Sequence, residues 1–550
     1  MRSLPFLLTW RKEAAILLAM LVTLLGPFVL KPRESTAPAK FDRRLVILTP
    51  HHELIREEFG RAFARSWKEE TGQTIFIDWR VPGGTSEIAM MMKSDYTAAF
   101  QHHWSRNLKK PWTPEVAQAC LNARAAPNDP ARAEFLRSNV GIGIDLFFGG
   151  GGFDFQIQAD AGTLVAEVGP GTGLAALRKK HPDWFTDAII PENLSGEPFR
   201  DARDRWCGTC LSSFGIVFNR DVLRRLGIEK DPENWSDLAD PKLQGMVALA
   251  DPGRSSSVVK AFEMLIQQEM QNALTKLMMD PGRIPPAKIE DTAVQQGWTA
   301  GLALIQRISA NARYFSDTST KIPLDVLRGD AAAGMCIDFY GRSAEESVKR
   351  ADGTSRVGFI MPVGGTSISV DPIALMRGAP DPELATAFME FVLSEPGQRL
   401  WGYRAGTPGG PEKLALRRLP VRRDFYTPDR LALMSDAQVM PYDRARAFVY
   451  HAPWTASAFS SLRFLLRVLC VDTHEEQKTA WKHLARGNFP PRATTVFHEL
   501  APVRYDLALG DISQILRSRN KVAETRLSRQ LGSQVRRNYE LAAKLARQGR

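Results

Sequence analysis

Hydrophobic positions recur along the chain in two alternating rhythms. Residues 45–49 (Leu-Val-Ile-Leu-Thr) form a short apolar run of strand length. From 53 to 70, Leu54, Phe59, Ala62, Phe63 and Trp67 return at helical spacing with Glu and Arg between them, and Gly72 closes the helix. Residues 74–79 predict a second strand, and Pro82-Gly83-Gly84-Thr85-Ser86-Glu87 a turn opening a helix through Met90, Met91 and Met92. Strand, helix, strand, turn and helix in that order predict an open α/β sheet. Residues 93–139 break the rhythm, with His102, His103, Trp104 and Trp112 among many polar residues, and read as an inserted stretch of helix and loop. Residues 142–148 predict a strand running into Gly149-Gly150-Gly151-Gly152, the end at which such a sheet brings backbone close to a ligand. Further strands are predicted at 214–219, 246–250, 332–338, 357–361 and 370–376, with helices at 220–226, from about 256, at 292–310 and at 381–393. After Phe425 the strand signals fade. Residues 428–500 read as helical, and 504–550 as one or two long basic helices.

Composition narrows the class. With 550 residues, 44% hydrophobic and 24% charged, the chain is an ordinary globular one of several folding units. The net charge of +11 invites a polyanion reading. Its distribution argues otherwise: residues 501–550 hold eleven Lys/Arg against four Asp/Glu, a net +7, beside a nearly neutral body. No nucleic-acid recognition motif is present, so nucleic acid is not expected as a partner. Ile512, Ile515, Leu516, Val522, Leu527, Leu531 and Val535 alternate with the cations, a pattern for an amphipathic helix that either is solvated or meets an anionic membrane surface or a partner. Residues 14–30 carry no charge and follow Arg2, Arg11 and Lys12, which predicts a signal peptide or membrane anchor and export of the remainder; Ala37-Pro38-Ala39 is a possible cleavage pattern.

Two loops offer anion chemistry. Gly84, Thr85 and Ser86 precede one predicted helix, and Arg254, Ser255 and Ser256 precede another. Free N–H groups at helix starts, with hydroxyls and the dipole, favour an anion, although the same hydroxyls serve equally as plain caps. Arg254 adds a possible bidentate contact. Five cysteines are too few for a disulfide scaffold. Trp206-Cys207-Gly208-Thr209-Cys210 has thioredoxin-like spacing, but the following residues read as a strand rather than a helix, so a local disulfide is expected ahead of redox catalysis.

The chain resembles the periplasmic substrate-binding proteins of ABC importers, in the branch with ferric-iron and phosphonate binders. The likeness rests on Asp145-Leu146-Phe147-Phe148-Gly149-Gly150, Ser213-Phe214-Gly215-Ile216-Val217-Phe218-Asn219 and Trp235-Ser236-Asp237-Leu238-Ala239-Asp240-Pro241-Lys242-Leu243-Gln244-Gly245. Ala250-Asp251-Pro252 and Phe391-Val392-Leu393-Ser394-Glu395-Pro396-Gly397-Gln398 add to it. The resemblance implies an α/β, two-lobed, type-2 periplasmic-binding-protein fold with crossover strands and a C-terminal helical extension. The implied organisation is 1–40 leader or anchor, 41–212 lobe 1 with insertion 93–139, 213–364 lobe 2, 365–424 return to lobe 1, 425–503 helical subdomain and 504–550 basic tail. It implies a non-enzymatic binder, exported to the periplasm or the outer face of the membrane, that closes on a small and anionic solute for a permease. Its expected ligand contacts are Thr49, His51, Gly84, Thr85, Ser86, Gly149, Gly150, Ser213, Arg254, Ser255, Ser256 and Tyr340. No cofactor and no metal is expected: of the iron-binding pattern only His51 and Tyr340 are matched, and Gly149-Gly150 stands where a Glu would be. The alternatives are a membrane-anchored thiol oxidoreductase using Cys207 and Cys210, or an extracytoplasmic sensor.

Overall fold

The computed structural model describes residues 40–550 apart from 127, 519 and 550, together with 18, 20 and 21. The expected leader or anchor at 14–30 and the Ala37-Pro38-Ala39 pattern therefore lie, those three residues excepted, outside the described residues.

The first half of lobe 1 follows the predicted rhythm. Strand β1 (Arg43–Leu48) leads to helix α1 (Glu53–Thr71), β2 (Ile75–Arg80) and α2 (Thr85–His102). Helix α1 buries Ile55, Phe59 and Phe63 on one face and ends at Gly72, whose φ of 74° is a left-handed cap. The stretch after α2 is irregular helix and loop, with short helices at Pro114–Ala119 and Pro130–Arg137. Strand β3 (Leu146–Phe148) is shorter than predicted and is followed by α3 (Gly152–Ala161) and β4 (Leu164–Val165). A small ribbon of β5 (Asn193–Leu194) and β6 (Glu197–Pro198) precedes β7 (Cys207–Ser212).

Lobe 2 begins one residue later. It holds β8 (Phe214–Asn219), β9 (Val247–Ala250), α4 (Ser256–Met279), α5 (Ile289–Ala310), β10 (Ala312–Ser316), α6 (Lys321–Arg328), β11 (Ala333–Ile337), α7 (Asp338–Ser347) and β12 (Val357–Ile360). The chain returns to lobe 1 through β13 (Ser369–Met376), α8 (Pro382–Leu393) and β14 (Leu419–Pro420). The lobe 1 sheet runs β14-β7-β13-β3-β1-β2 with β4 beside β13, and the lobe 2 sheet runs β10-β9-β11-β8-β12. In lobe 1, β1 is parallel to β2 and β3, while β13 is antiparallel to β3 and β7. This is the type-2 two-lobed architecture, and its two crossovers, at Ser213 and at 361–368, lie against each other. The Ser213 hydroxyl donates to Met361 Sδ at 2.8 Å, and Phe214 N–H donates to Thr366 Oγ1 at 3.2 Å.

The C-terminal residues divide between the lobes. Phe425, Met434, Val439 and Ala445 belong to the lobe 1 core. Beyond them, α9 (Phe459–Leu466), α10 (His474–Arg486), α11 (Pro491–Phe497) and α12 (Lys521–Arg547) continue the core of lobe 2 without a break. Ala452–Val471 is long and apolar enough to span a membrane, and 61% of it is buried inside the fold. Helix α12 is the amphipathic helix of the sequence pattern. It buries Leu531, Gly532, Val535, Tyr539, Ala542, Ala543 and Ala546 and turns Arg526, Arg529, Arg537, Lys544 and Arg547 outward.

Cys207 and Cys210 are both buried free thiols on β7, so the expected disulfide does not form. The extended backbone of β7 between them keeps their Cα atoms farther apart than a disulfide bridges. Burial also pushes the Cys207 thiol up to about 12, which removes the thiolate that redox chemistry needs.

Candidate functional site

A cavity of about 600 Å³ lies between the lobes. Six helices begin on it: α1, α2 and α3 from lobe 1, and α4, α6 and α7 from lobe 2. This follows from the sheet order, because the C-terminal ends of parallel strands in both lobes face the cleft and deliver helix N-termini there. Helices α2, α3, α6 and α7 have no side-chain cap. Among the described residues, the first-turn N–H groups of Thr85, Ser86 and Glu87 on α2, and of Gly152 and Phe153 on α3, find no acceptor within the protein. Unpaired N–H groups and aligned dipoles make this wall electropositive without a formal charge.

His51, Gly84, Thr85, Gly150, Ser256 and Tyr340 line the cavity. Thr49 stands behind His51, its Oγ1 accepting from the His51 N–H at 3.0 Å. The His51 ring is edge-on to Phe148 at 4.6 Å and its Nε2 is buried without a hydrogen-bond partner. Burial, then Arg418 and Arg56, drive its pKa well down, so the imidazole is neutral. Gly149 lies beneath that ring: a Cβ there would be 2.3 Å from His51 Nε2. Ser86 Oγ is 3.3 Å from Ser256 Oγ, a hydroxyl contact between the lobes. Ser213 sits at the crossover, and Ser255 is the N-cap of α4, its Oγ accepting from Val258 N–H at 3.4 Å. Arg254 is exposed and does not line the cavity, because the turn ahead of α4 directs it outward.

Several lining groups carry no motif in the sequence. Arg56, one turn into α1, lines the cavity and pairs with no carboxylate among the described residues. Arg418 Nη2 meets Asp371 at 2.7 Å. Burial raises the Asp371 carboxyl to about 6 against the pull of Arg418. Burial likewise raises Asp154 on α3 to about 6, with a hydrogen bond from Thr85 offsetting part of the effect. On the far wall Lys260 Nζ lies 3.1 Å from Glu263 and 3.7 Å from Glu197. Burial opposes the Lys260 charge, and the two carboxylates outweigh that and hold the ammonium well above its ordinary range. Only the single Arg56, spaced one turn beyond Glu53, could have been suspected from the sequence; the others converge from positions as far apart as Asp154 and Arg418. Among the described residues, no three His, Cys, Asp or Glu side chains form a set able to hold a metal ion.

Residues 185–430 match the family model of bacterial extracellular solute-binding proteins. An uncharacterized protein of Haemophilus influenzae is 22% identical over 256 residues, 46% of this chain and 60% of its own. The phosphoglycerate transport regulatory protein PgtC of Salmonella typhimurium is 24% identical over 201 residues, 36% of this chain and 42% of its own. The chain thus spans between two fifths and three fifths of these curated relatives. The periplasmic binding protein AfuA of Actinobacillus pleuropneumoniae, with exogenous fructose-6-phosphate bound, superposes with a TM-score of 0.44 at 15% identity, covering 78% of this chain and 98% of that one. Over residues 185–430, then, the chain carries the pattern of the bacterial extracellular solute-binding proteins, set in a two-lobed fold of the periplasmic-binding type.

Proposed function

We propose that this protein is an extracytoplasmic solute-binding protein that captures a small organic anion between its lobes and delivers it to an ABC-importer permease. The observation that supports the reading is the convergence of six helix N-termini on one inter-lobe cavity. Unpaired N–H groups on α2 and α3 and the unpaired Arg56 supply donors and positive potential for a carboxylate, phosphate or phosphonate. Closure would bend the two adjacent crossovers at Ser213 and 361–368, which carry the connection between the sheets. The outward cations of α12 and the apolar run at 14–30 suit a protein held at an anionic membrane surface.

Thermal denaturation of the full chain against a panel of carboxylates, phosphates, phosphonates and neutral sugars tests the reading. A bound anion at a hundred times its Kd stabilises by about 2.7 kcal/mol. Arg56→Gln should weaken that anion by about tenfold or more, the loss of a charge-assisted hydrogen bond. A panel in which no anion stabilises the protein, or a sugar alone does, would refute it.

A further inference from the structure

We infer that the chain crosses between the lobes a third time at 446–453, that this crossing pins the hinge at Tyr450–His451, and that the solute enters on the side closed by Phe153 against Phe459. The hinge is the same whichever solute the cleft takes.

Ala445 is packed in the core of lobe 1 and Trp454 in the core of lobe 2, so the residues between them pass from one lobe to the other. The crossing lies past the family match, which ends at residue 430. It runs beside the second crossover, where a Cβ on Gly364 would be 3.3 Å from Ala447 O. Its fastenings alternate between the lobes residue by residue. Val449 O accepts from Gln271 Nε2 of α4, in lobe 2, at 3.0 Å. Tyr450 N–H donates to Ser195 O in lobe 1 at 2.8 Å, and Gly196 packs so closely that a Cβ there would be 1.9 Å from Tyr450 O. His451 returns to α4, its N–H donating to Gln267 Oε1 at 2.8 Å and its O accepting from Gln267 Nε2 at 2.9 Å. Gln267 is wholly buried, so losing His451 would strand its amide oxygen away from water.

Adjacent residues held by opposite lobes leave no slack. The lobes can turn about Tyr450–His451 but cannot part there without breaking these bonds. A second fastening lies beside Ser213. Asp338 N–H, at the start of α7, donates to Ser213 O at 3.0 Å, and one turn on Arg342 meets Asp436 of lobe 1 at 2.6 Å. Arg417 joins the same Asp436 at 2.7 Å and reaches Glu345 of α7 at 3.0 Å. The side chains of Asp436, Arg342 and Arg417 are exposed by 2%, 6% and 8%, and breaking so desolvated a network is strongly unfavourable. Fastened through α4 and through α7, the lobes keep one axis of rotation. The remaining contacts across the cleft are weaker. Ser86 and Ser256 form one hydroxyl pair at 3.3 Å, and Phe153 and Phe459 one tilted ring pair at 5.4 Å between centroids. Neither has an ion pair behind it, so these contacts part when the cleft opens, and the solute passes between them.

Spin-label distance measurements on the full, solute-free chain test the hinge. The five native thiols are buried, which leaves introduced cysteines to take the label. Asn193→Cys with Thr275→Cys spans the pivot, and Ile157→Cys with Ser460→Cys spans the entry; all four sites are exposed. The pivot pair should give one narrow distance distribution, and the entry pair one at least about twofold broader. Gly-Ser-Gly-Ser inserted between Tyr450 and His451 supplies about 13 Å of slack, and the pivot pair should then broaden to match the entry pair. The same insert after Gly282, in an open turn of lobe 2, should leave both pairs unchanged. Gln267→Ala removes both His451 bonds without lengthening the chain and should also broaden the pivot pair; it decides if a thermal melt shows the insert unfolded. The comparison of the two pairs with the crossing intact decides alone if neither variant folds. A pivot pair as broad as the entry pair there, an entry pair as narrow as the pivot pair, or a pivot pair unmoved in a folded variant would overturn the inference.

Discussion

Gly149→Ala tests the seating of His51. At this position φ is 90°, outside the range of ordinary L-residues, and a Cβ would stand 2.3, 2.5 and 2.6 Å from three atoms of the His51 ring. The ring cannot retreat, because Phe148 lies 4.6 Å and Trp401 5.8 Å from its centroid. Left-handed backbone on a non-glycine residue costs about 1–3 kcal/mol. Overpacking a filled site costs about 1–3 kcal/mol more. The expected loss is therefore about 2–6 kcal/mol, several degrees to about 20 °C in Tm for a lobe-sized unit. Gly151→Ala is the control: its φ of −99° is extended, and the nearest atom to its Cβ would be Asp154 Oδ2 at 3.7 Å. Thermal unfolding by circular dichroism should find that control nearly neutral. The overpacking share is separable, since His51→Ala removes the obstacle. The double variant should be about 1–3 kcal/mol more stable than the sum of the single effects predicts. Strict additivity, or a Gly149→Ala protein with unchanged Tm, would refute the placement of the imidazole against the Gly149 backbone.

Asp154→Asn should stabilise the protein at pH 7.5. The carboxyl is raised in the folded state to about 6 from 3.8, so the native form holds its proton more tightly than the unfolded one. Stability is then lost as pH rises from about 4 through 6, by up to about 3 kcal/mol. The gain from Asn should be present at pH 7.5 and vanish near pH 4 in a series of melts, and a gain that is constant with pH would count against the burial argument. All five cysteines are buried free thiols. A maleimide should therefore add to none of them in the native protein and to five after denaturation, as read by intact mass; rapid native labelling of Cys207 or Cys210 would reopen thiol chemistry. Tyr539→Phe tests whether α12 is integral to lobe 2. Its hydroxyl donates to Leu469 O at 3.1 Å and accepts from Gln306 and Gln477 at 3.0 and 3.1 Å, so its loss should cost about 1–3 kcal/mol in denaturant unfolding. An unchanged midpoint would mean that α12 is not docked as described.

The two-lobed α/β order was legible because it is written in local rhythm. The 53–70 helical spacing became α1, the apolar run at 214–219 became β8, and the 246–250 run became β9, since periodic burial needs only one's near neighbours in sequence. The glycine run at 149–152 and the Gly84-Thr85 turn were readable for the same reason: a strand end and a helix start are local events, and both face the cleft. The disulfide expectation failed because spacing alone does not say whether the chain between two cysteines turns or extends, and here it extends along β7. Arg254 failed as a lining residue because a charged side chain beside a cap follows the turn's orientation, which the sequence does not specify.

By itself, the sequence determined that strands alternate with helices, that helix starts cluster after strand ends, and that the charge gathers in an amphipathic C-terminal segment. The tertiary structure alone decided that this segment completes the core of lobe 2, and that Tyr450 and Phe459 reach the cleft beside Lys260. It alone also brought Glu197 to Glu263, and Arg418 to Asp371, across 66 and 47 positions of chain. Local propensity is a property of neighbouring residues, whereas a binding wall is made where distant segments lose their water together, and that depends on how the whole chain packs.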